Sequence, residues 1–224
     1  MNEREKILAR VREALNAPAS PPIAHRPAVP SAALSGPRQW LPKVAEGLDG
    51  QLAMFARNAA ALKADFQLVQ SAGDMRQALV RLRDAERWTR VAGHSGDLTN
   101  AICPPLNLPL LRTDKPFDVH ELEACDAGIS ECDALIAQTG TILVTTRSAG
   151  GRALSVLPPH HVVLARREQL VADLPAAFDL LKKKYGANYP SMISFITGPR
   201  RTGDIERILV LGAHGPKKLT ILCF

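Results

Sequence analysis

Residues 66–92, FQLVQSAGDMRQALVRLRDAERWTRVA, decide the fold class. The run from Phe66 to Val69, apolar but for Gln67, is of strand length. Met75, Ala78, Leu79 and Leu82 then recur at three- and four-residue steps, which predicts a helix over Asp74 to Ala85, and Trp88 to Ala92 predicts a second strand. A strand, a helix and a strand in this order make a right-handed βαβ unit and hence a parallel sheet. Leu108 to Leu111 predicts a further strand. Gly93-His94-Ser95-Gly96 follows the second strand directly, at the carboxyl edge where open α/β sheets collect ligands.

The pattern extends in both directions. Upstream, Leu48, Leu52, Phe55, Ala59 and Leu62 predict a helix over Leu41 to Lys63. Downstream, Asp133 to Ala137 and Thr141 to Thr145 flank Gln138-Thr139-Gly140 and predict an antiparallel hairpin with Gly140 in its turn. Val162 to Ala165 predicts a strand, and Leu170 to Lys184 a helix that buries Leu170, Val171, Leu174, Phe178 and Leu181. Ser191 to Ile196, Ile208 to Leu211 and Leu219 to Cys223 are expected to complete the sheet. The expected fold is α/β, an open mixed sheet built from βαβ units.

The N-terminus is different in kind. Residues 2–16 predict an amphipathic helix capped by Asn2 and Glu5, with Ile7, Leu8, Val11 and Leu15 on one face. Pro18, Pro21, Pro22, Pro27, Pro30 and Pro37 then punctuate a stretch without acidic residues, an extended linker. Residues 1–37 are therefore expected to form a helical arm and linker, and residues 38–224 the α/β domain.

Composition narrows the function. A chain of 224 residues with 46% apolar content can bury a full core. The net charge is +6, but aromatics make up 4% and the basic residues are scattered, which argues against nucleic-acid binding. No stretch reads as a signal peptide or a membrane span, so a cytoplasmic protein without membrane insertion is expected. Cys103, Cys125, Cys132 and Cys223 contain no Cys-x-x-Cys pair and no metal-ligand spacing, so no metal or iron–sulfur cofactor is expected on this chain. Walker, Gly-x-Gly-x-x-Gly, His-Glu-x-x-His and Gly-x-Ser-x-Gly motifs are absent as well.

What chemistry there is concentrates in residues 197–216, TGPRRTGDIERILVLGAHGP. Gly198, Gly203, Gly212 and Gly215 allow unusual backbone or close approach, and Arg200 and Arg201 offer planar, bidentate recognition of a carboxylate or phosphate. Thr202 and Asp204 stand where a helix would begin, which adds free N–H groups. The competing reading is ion pairing of the arginines with Asp204 or Glu206. Thr139, Gly140 and Thr141 can bring hydroxyls and backbone to the same ligand, and Arg152 and His214 complete a polar ring. His160 and His161 are adjacent, so on a strand they point to opposite sides and only one can line a site. Glu131 and Asp133, two apart, are candidates for acid–base work.

The helix ILARVREAL, Asp133-Ala-Leu-Ile-Ala-Gln-Thr-Gly-Thr141, Leu157-Pro-Pro-His-His161, Thr197-Gly-Pro with Arg201-Thr-Gly-Asp-Ile-Glu206, and Gly212-Ala-His-Gly-Pro216 together resemble the LUD-domain family, of the lactate utilisation protein C type. The resemblance implies a fold similar to the sugar-phosphate isomerase and CoA-transferase superfamily (NagB/RpiA/CoA transferase-like). It also implies a role in oxidising L-lactate to pyruvate beside iron–sulfur partner proteins. The matched positions are Thr139, Gly140, Thr141, Pro158, His161, Gly198, Pro199, Arg201, Thr202, Asp204, Glu206, His214 and Gly215. The chain departs from the pattern at Gln138, where an acidic residue is common, at Arg200, where serine is common, and at Gly203, where alanine is common.

Overall fold

The computed structural model describes residues 3–16, 42–202, 210–211 and 215–224, and divides the chain into two units, Met1–Leu41 and Pro42–Phe224. In the first unit, helix α1 (Glu3–Asn16) places Glu3 and Glu5 in its first turn, at the positive end of its dipole. Ile7 and Leu8 are exposed. The Asn2 cap and the linker lie outside the described residues.

The second unit runs α2 (Gly47–Ala61), β1 (Asp65–Leu68), α3 (Ala72–Glu86), β2 (Val91–Gly93), α4 (Asp97–Ile102), β3 (Leu110–Arg112), α5 (Val119–Glu123) and β4 (Ala127–Glu131). It continues with β5 (Ala134–Ile136), β6 (Thr141–Thr145), β7 (His160–Ala165), β8 (Leu170–Val171), α6 (Leu174–Tyr185), β9 (Ile193–Ile196), β10 (Arg201–Thr202), β11 (Val210–Leu211) and β12 (Lys218–Cys223).

The unit predicted from residues 66–92 is present. Ser71 Oγ accepts the Asp74 N–H at 3.1 Å and starts α3, and Arg87, at φ 55°, turns the chain out of it. That left-handed exit delays the next strand to Val91, so Trp88 is a buried link and not part of β2.

Six strands form one sheet in the order β1-β12-β7-β4-β2-β3, every neighbouring pair parallel. The antiparallel pairing expected of a mixed sheet is segregated into a second, four-stranded sheet, β8-β5-β6-β9, in which β5 and β6 form the predicted hairpin. Gly140 sits in its turn with φ 62°. Side chains alternate across the large sheet: Val162, Leu164 and Leu222 join α3 and α4 on one face, and Val163, Ala165, Ile221 and Cys223 join Phe55, Leu135 and Ile142 on the other. α6 covers the far side of the small sheet through Ala177, Leu181 and Tyr185. The second unit is thus layered, with the large sheet buried on both faces as a parallel sheet requires.

Several expectations need correction. α2 begins at Gly47, whose φ of 70° breaks the helix predicted from Leu41, and Leu48 is exposed. Leu170 and Val171 pair as β8 because Asp173 caps α6 by accepting the Ala176 N–H, so the helix starts at Leu174; Phe178 is exposed. Val210–Leu211 does not extend either sheet but pairs with Arg201–Thr202, and Thr202 is therefore in a strand, not at a helix start. β4 was not predicted at all.

Candidate functional site

A cleft of about 430 Å³ opens between the end of α2, the 155–156 turn, β9 with the 196–200 turn that follows it, and the first residues of β7 and β12. His161 and Leu219 form part of its floor. Both stand near the amino ends of their strands, so this cleft lies at the opposite edge from the one where open α/β sheets usually bind ligands.

Gly198 and Gly215 shape the mouth. Gly198 adopts φ 82°, and a Cβ there would lie 2.6 Å from Leu62 O, so the turn can seat on the end of α2 only with glycine. The Arg200 N–H donates to Pro216 O at 3.1 Å, which joins the two glycine–proline turns into one corner. Arg200 itself is exposed and lines the cleft. Ser155, Ser194 and Thr197 supply the polar lining, and Phe195 and Ile196 the apolar part.

His161 contributes polarity without charge. Its Nε2 shares a 2.8 Å hydrogen bond with Ser130 Oγ, and burial, with neighbouring His160 adding to it, pushes the imidazole down to about 3. Near neutral pH the ring is neutral, so Arg200 is the cation the described lining provides. His160 points to the opposite face, as the strand geometry demands, where it bonds Thr220 Oγ1 at 2.9 Å and stands edge-on to Trp88.

The structure therefore brings His161, Gly198 and Arg200 together and leaves other candidates aside. Thr141 is buried, and its Oγ1 lies 2.9 Å from Thr197 Oγ1, a tie that positions the cleft turn from behind. Gly140 faces α2: a Cβ there would lie 2.6 Å from Ala59 N, and Asn58 Nδ2 donates to Ala137 O and Gln138 O. Thr139 Oγ1 is buried without a hydrogen-bond partner among the described residues. The Arg152 side chain is exposed and is not part of the cleft lining. The side chains of Arg201 and Thr202, together with Asp204, Glu206 and His214, lie outside the described residues. Ser155, Ser194 and Leu62 were missed, because no local motif distinguishes them from ordinary strand, turn and helix-end residues.

The other two sequence candidates resolve differently. At the carboxyl edge the Gly93–Gly96 turn leads into α4, but Glu131 Oε1 already accepts the N–H groups of Leu98 at 2.8 Å and Thr99 at 3.0 Å. The anion place beside that turn is filled by the chain's own carboxylate. Glu131 and Asp133 consequently do not act as a pair. Asp133 turns into a network in which Lys184 Nζ, Tyr185 OH and Ser148 Oγ approach its two oxygens at 2.5, 2.6 and 2.6 Å. Burial would raise this carboxyl, but the Lys184 contact first, then Ser148 and Tyr185, outweigh it and hold it below the ordinary carboxylate range.

The four cysteines are buried as free thiols, and burial drives Cys103 up to about 12 and Cys223 up to about 11. Among the described residues no helix is long and apolar enough to cross a membrane.

Comparison with known proteins agrees with the sequence reading. The family model of the LUD domain matches residues 52–223. Lactate utilization protein C 1 of Bacillus mycoides is 34% identical over 105 residues, covering 46% of this chain and 45% of its own length. Lactate utilization protein C of Shouchella clausii is 28% identical over 177 residues, covering 76% of this chain and 77% of its own. The matched stretch thus spans about half of the first relative and about three quarters of the second. A solved DUF162 family protein from Deinococcus radiodurans shares the fold, with a TM-score of 0.63 at 22% identity over 80% of this chain and 98% of that one.

Proposed function

The chain belongs to the LUD-domain family, and on that ground we propose that it serves lactate utilisation, as a non-redox subunit or accessory protein of a cytoplasmic iron–sulfur complex that oxidises L-lactate to pyruvate. The observation that carries this reading is the match to curated relatives named lactate utilization protein C, one of them over 76% of the chain. The division of labour rests on the cysteines. Each is buried and unpaired, with burial holding the thiols of Cys103 and Cys223 protonated, which supports placing the redox centres on partner subunits.

In this reading the cleft under Arg200 takes an anionic small molecule. An exposed guanidinium at the mouth, hydroxyls of Ser155, Ser194 and Thr197 on the walls, and a neutral imidazole on the floor suit the carboxylate and hydroxyl of a small acid. A second reading, a stand-alone enzyme or sensor for such an anion, is favoured by the same cleft, since one chain forms it without a partner.

The experiment is a pull-down of the tagged chain from its host grown on lactate, read for iron–sulfur proteins and for L-lactate-dependent dye reduction. Co-purification, with the activity lost on deleting the gene, supports the complex. A protein that comes down alone, with lactate oxidation intact in the deletion strain, overturns it and leaves the enzyme or sensor reading.

A further inference from the structure

The carboxyl edge of the large sheet holds a second cleft, of about 360 Å³, that the reading above does not use. It lies where β4 and β7, neighbours in the sheet, both end: Glu131 closes β4, and Arg166 follows β7. Ser148, on the turn after β6, and Lys184 and Tyr185, at the end of α6, complete its walls with Arg147. This is the edge at which a parallel sheet presents its loops to ligands.

Its floor is rigid. Beneath it, Asp133 is fully buried at the side chain and ties together the lining residues Lys184, Tyr185 and Ser148. Tyr185 OH is also 3.1 Å from Thr145 Oγ1, and the Thr145 N–H donates to Ser148 Oγ at 2.9 Å, so both hydroxyls are fixed by internal bonds. Gln169 ties the rim, accepting the Arg166 N–H at 2.7 Å and donating to Cys132 O at 2.6 Å. A site of this kind keeps its shape before a ligand arrives, which lowers the ordering cost of binding.

Its charge is unbalanced. Asp133 neutralises one cation, Lys184, and Glu131 spends Oε1 on the α4 backbone. Arg147 lies 5.1 Å over the Tyr185 ring and makes a 3.4 Å contact to Asn188 O, and neither partner carries a negative charge. Among the described residues Arg166 has no ion-pair partner, although it is only half-exposed. Three cations, Arg147, Arg166 and Lys184, therefore face two carboxylates, Glu131 on the lining and Asp133 beneath it, which leaves one positive charge in excess in a pre-shaped hollow.

The geometry points to a second anion site, separate from the Arg200 cleft, in which Arg147, Arg166 and Lys184 hold a phosphate or carboxylate group of a small metabolite beside Ser148 and Tyr185.

The test is calorimetric titration of the full chain with inorganic phosphate and, separately, with succinate, at constant ionic strength. Saturable binding of either is expected, weakened at least about tenfold in Arg166→Gln and unchanged in Arg81→Gln, an exposed arginine that lines neither cleft. Phosphate alone would identify a phosphorylated ligand, and succinate alone a dicarboxylate. If Arg166→Gln lowers the melting temperature, Arg147→Gln, an exposed position, gives the same comparison. No saturable heat with either probe, or an affinity in Arg166→Gln equal to that of the wild type or of Arg81→Gln, would each overturn the assignment. Because the readout is binding and not lactate oxidation, the result stands or falls apart from the complex proposed above.

Discussion

Arg200 lies directly across Gly215: a Cβ built on Gly215 would sit 2.6 Å from Arg200 Cδ, and 3.4 Å from Val156 O. Gly215 also adopts φ 111°, a conformation closed to other residues without strain. Gly215→Ala is thus expected to push the arginine out of the cleft and to cost about 1–3 kcal/mol in stability. Titration with L-lactate should show binding lost in Gly215→Ala and in Arg200→Ala, with the second variant melting like the wild type. If Arg200→Ala binds L-lactate with unchanged affinity, this cleft is not the lactate site.

His161 and His160 make stability depend on pH in a predictable direction. Burial depresses them to about 3 and about 4 in the folded chain, against about 6.5 unfolded. As pH falls below about 6.5 the unfolded chain takes up protons that the folded chain refuses, so stability present above that pH is lost. The slope is at most about 1.4 kcal/mol per pH unit for each imidazole. Urea unfolding at pH about 7.5 and about 5 should show this loss, smaller in His161→Asn. Equal midpoints at the two values would mean that neither ring is buried neutral.

Lys184→Met would leave the Asp133 carboxylate, with no exposed side-chain surface, without its counter-charge. Lys184 is itself 49% exposed, so water offsets part of the loss, and we expect about 1–3 kcal/mol of destabilisation. The double variant Asp133→Asn with Lys184→Met should recover part of it, because the buried charge is gone. Chemical denaturation of the three proteins measures this, and a double variant less stable than Lys184→Met would contradict it.

Gly140 and Gly47 separate close packing from backbone strain. Both have positive φ, 62° and 70°, but a Cβ at Gly140 strikes the α2 backbone at 2.6 Å while one at Gly47 meets nothing within 4 Å. Alanine at Gly47 should therefore cost only the strain, about 1 kcal/mol, and alanine at Gly140 about 2 kcal/mol more. Thermal melts that rank the two in the other order would refute the role given to the hairpin turn.

The parts of the fold legible in the sequence were those with a local signal. α3 announced itself through Met75, Ala78 and Leu79, and the hairpin through apolar runs on either side of Gly140. β4 had no such signal: its residues, Ala127-Gly-Ile-Ser-Glu131, include few strand formers. Gly128 explains why, since a Cβ there would meet Leu154 O at 2.5 Å, a neighbour fixed only by the tertiary fold. The pairing of Val210–Leu211 with Arg201–Thr202 was hidden for a similar reason, as an apolar run does not specify which edge it joins. At the site, Gly198, Arg200 and His161 could be read from turn and motif chemistry. The Lys184–Asp133–Ser148 cluster could not, because Lys184 is only the last residue of a predicted helix and its partners are remote in sequence.

The position of β12 between β1 and β7 bears on how the protein is made. On a ribosome, every other strand of the large sheet emerges before residues 218–223 do. Until then β1 has no ladder partner, and β7 offers it an empty slot instead of a neighbour. The nascent chain must hold this gap open, with two unsatisfied rows of backbone groups on its flanks, and seals it in one late insertion. Synthesis that stalls upstream of Lys218 would release a molecule with a complete set of helices and a split sheet, a natural client for chaperones that shield strand edges.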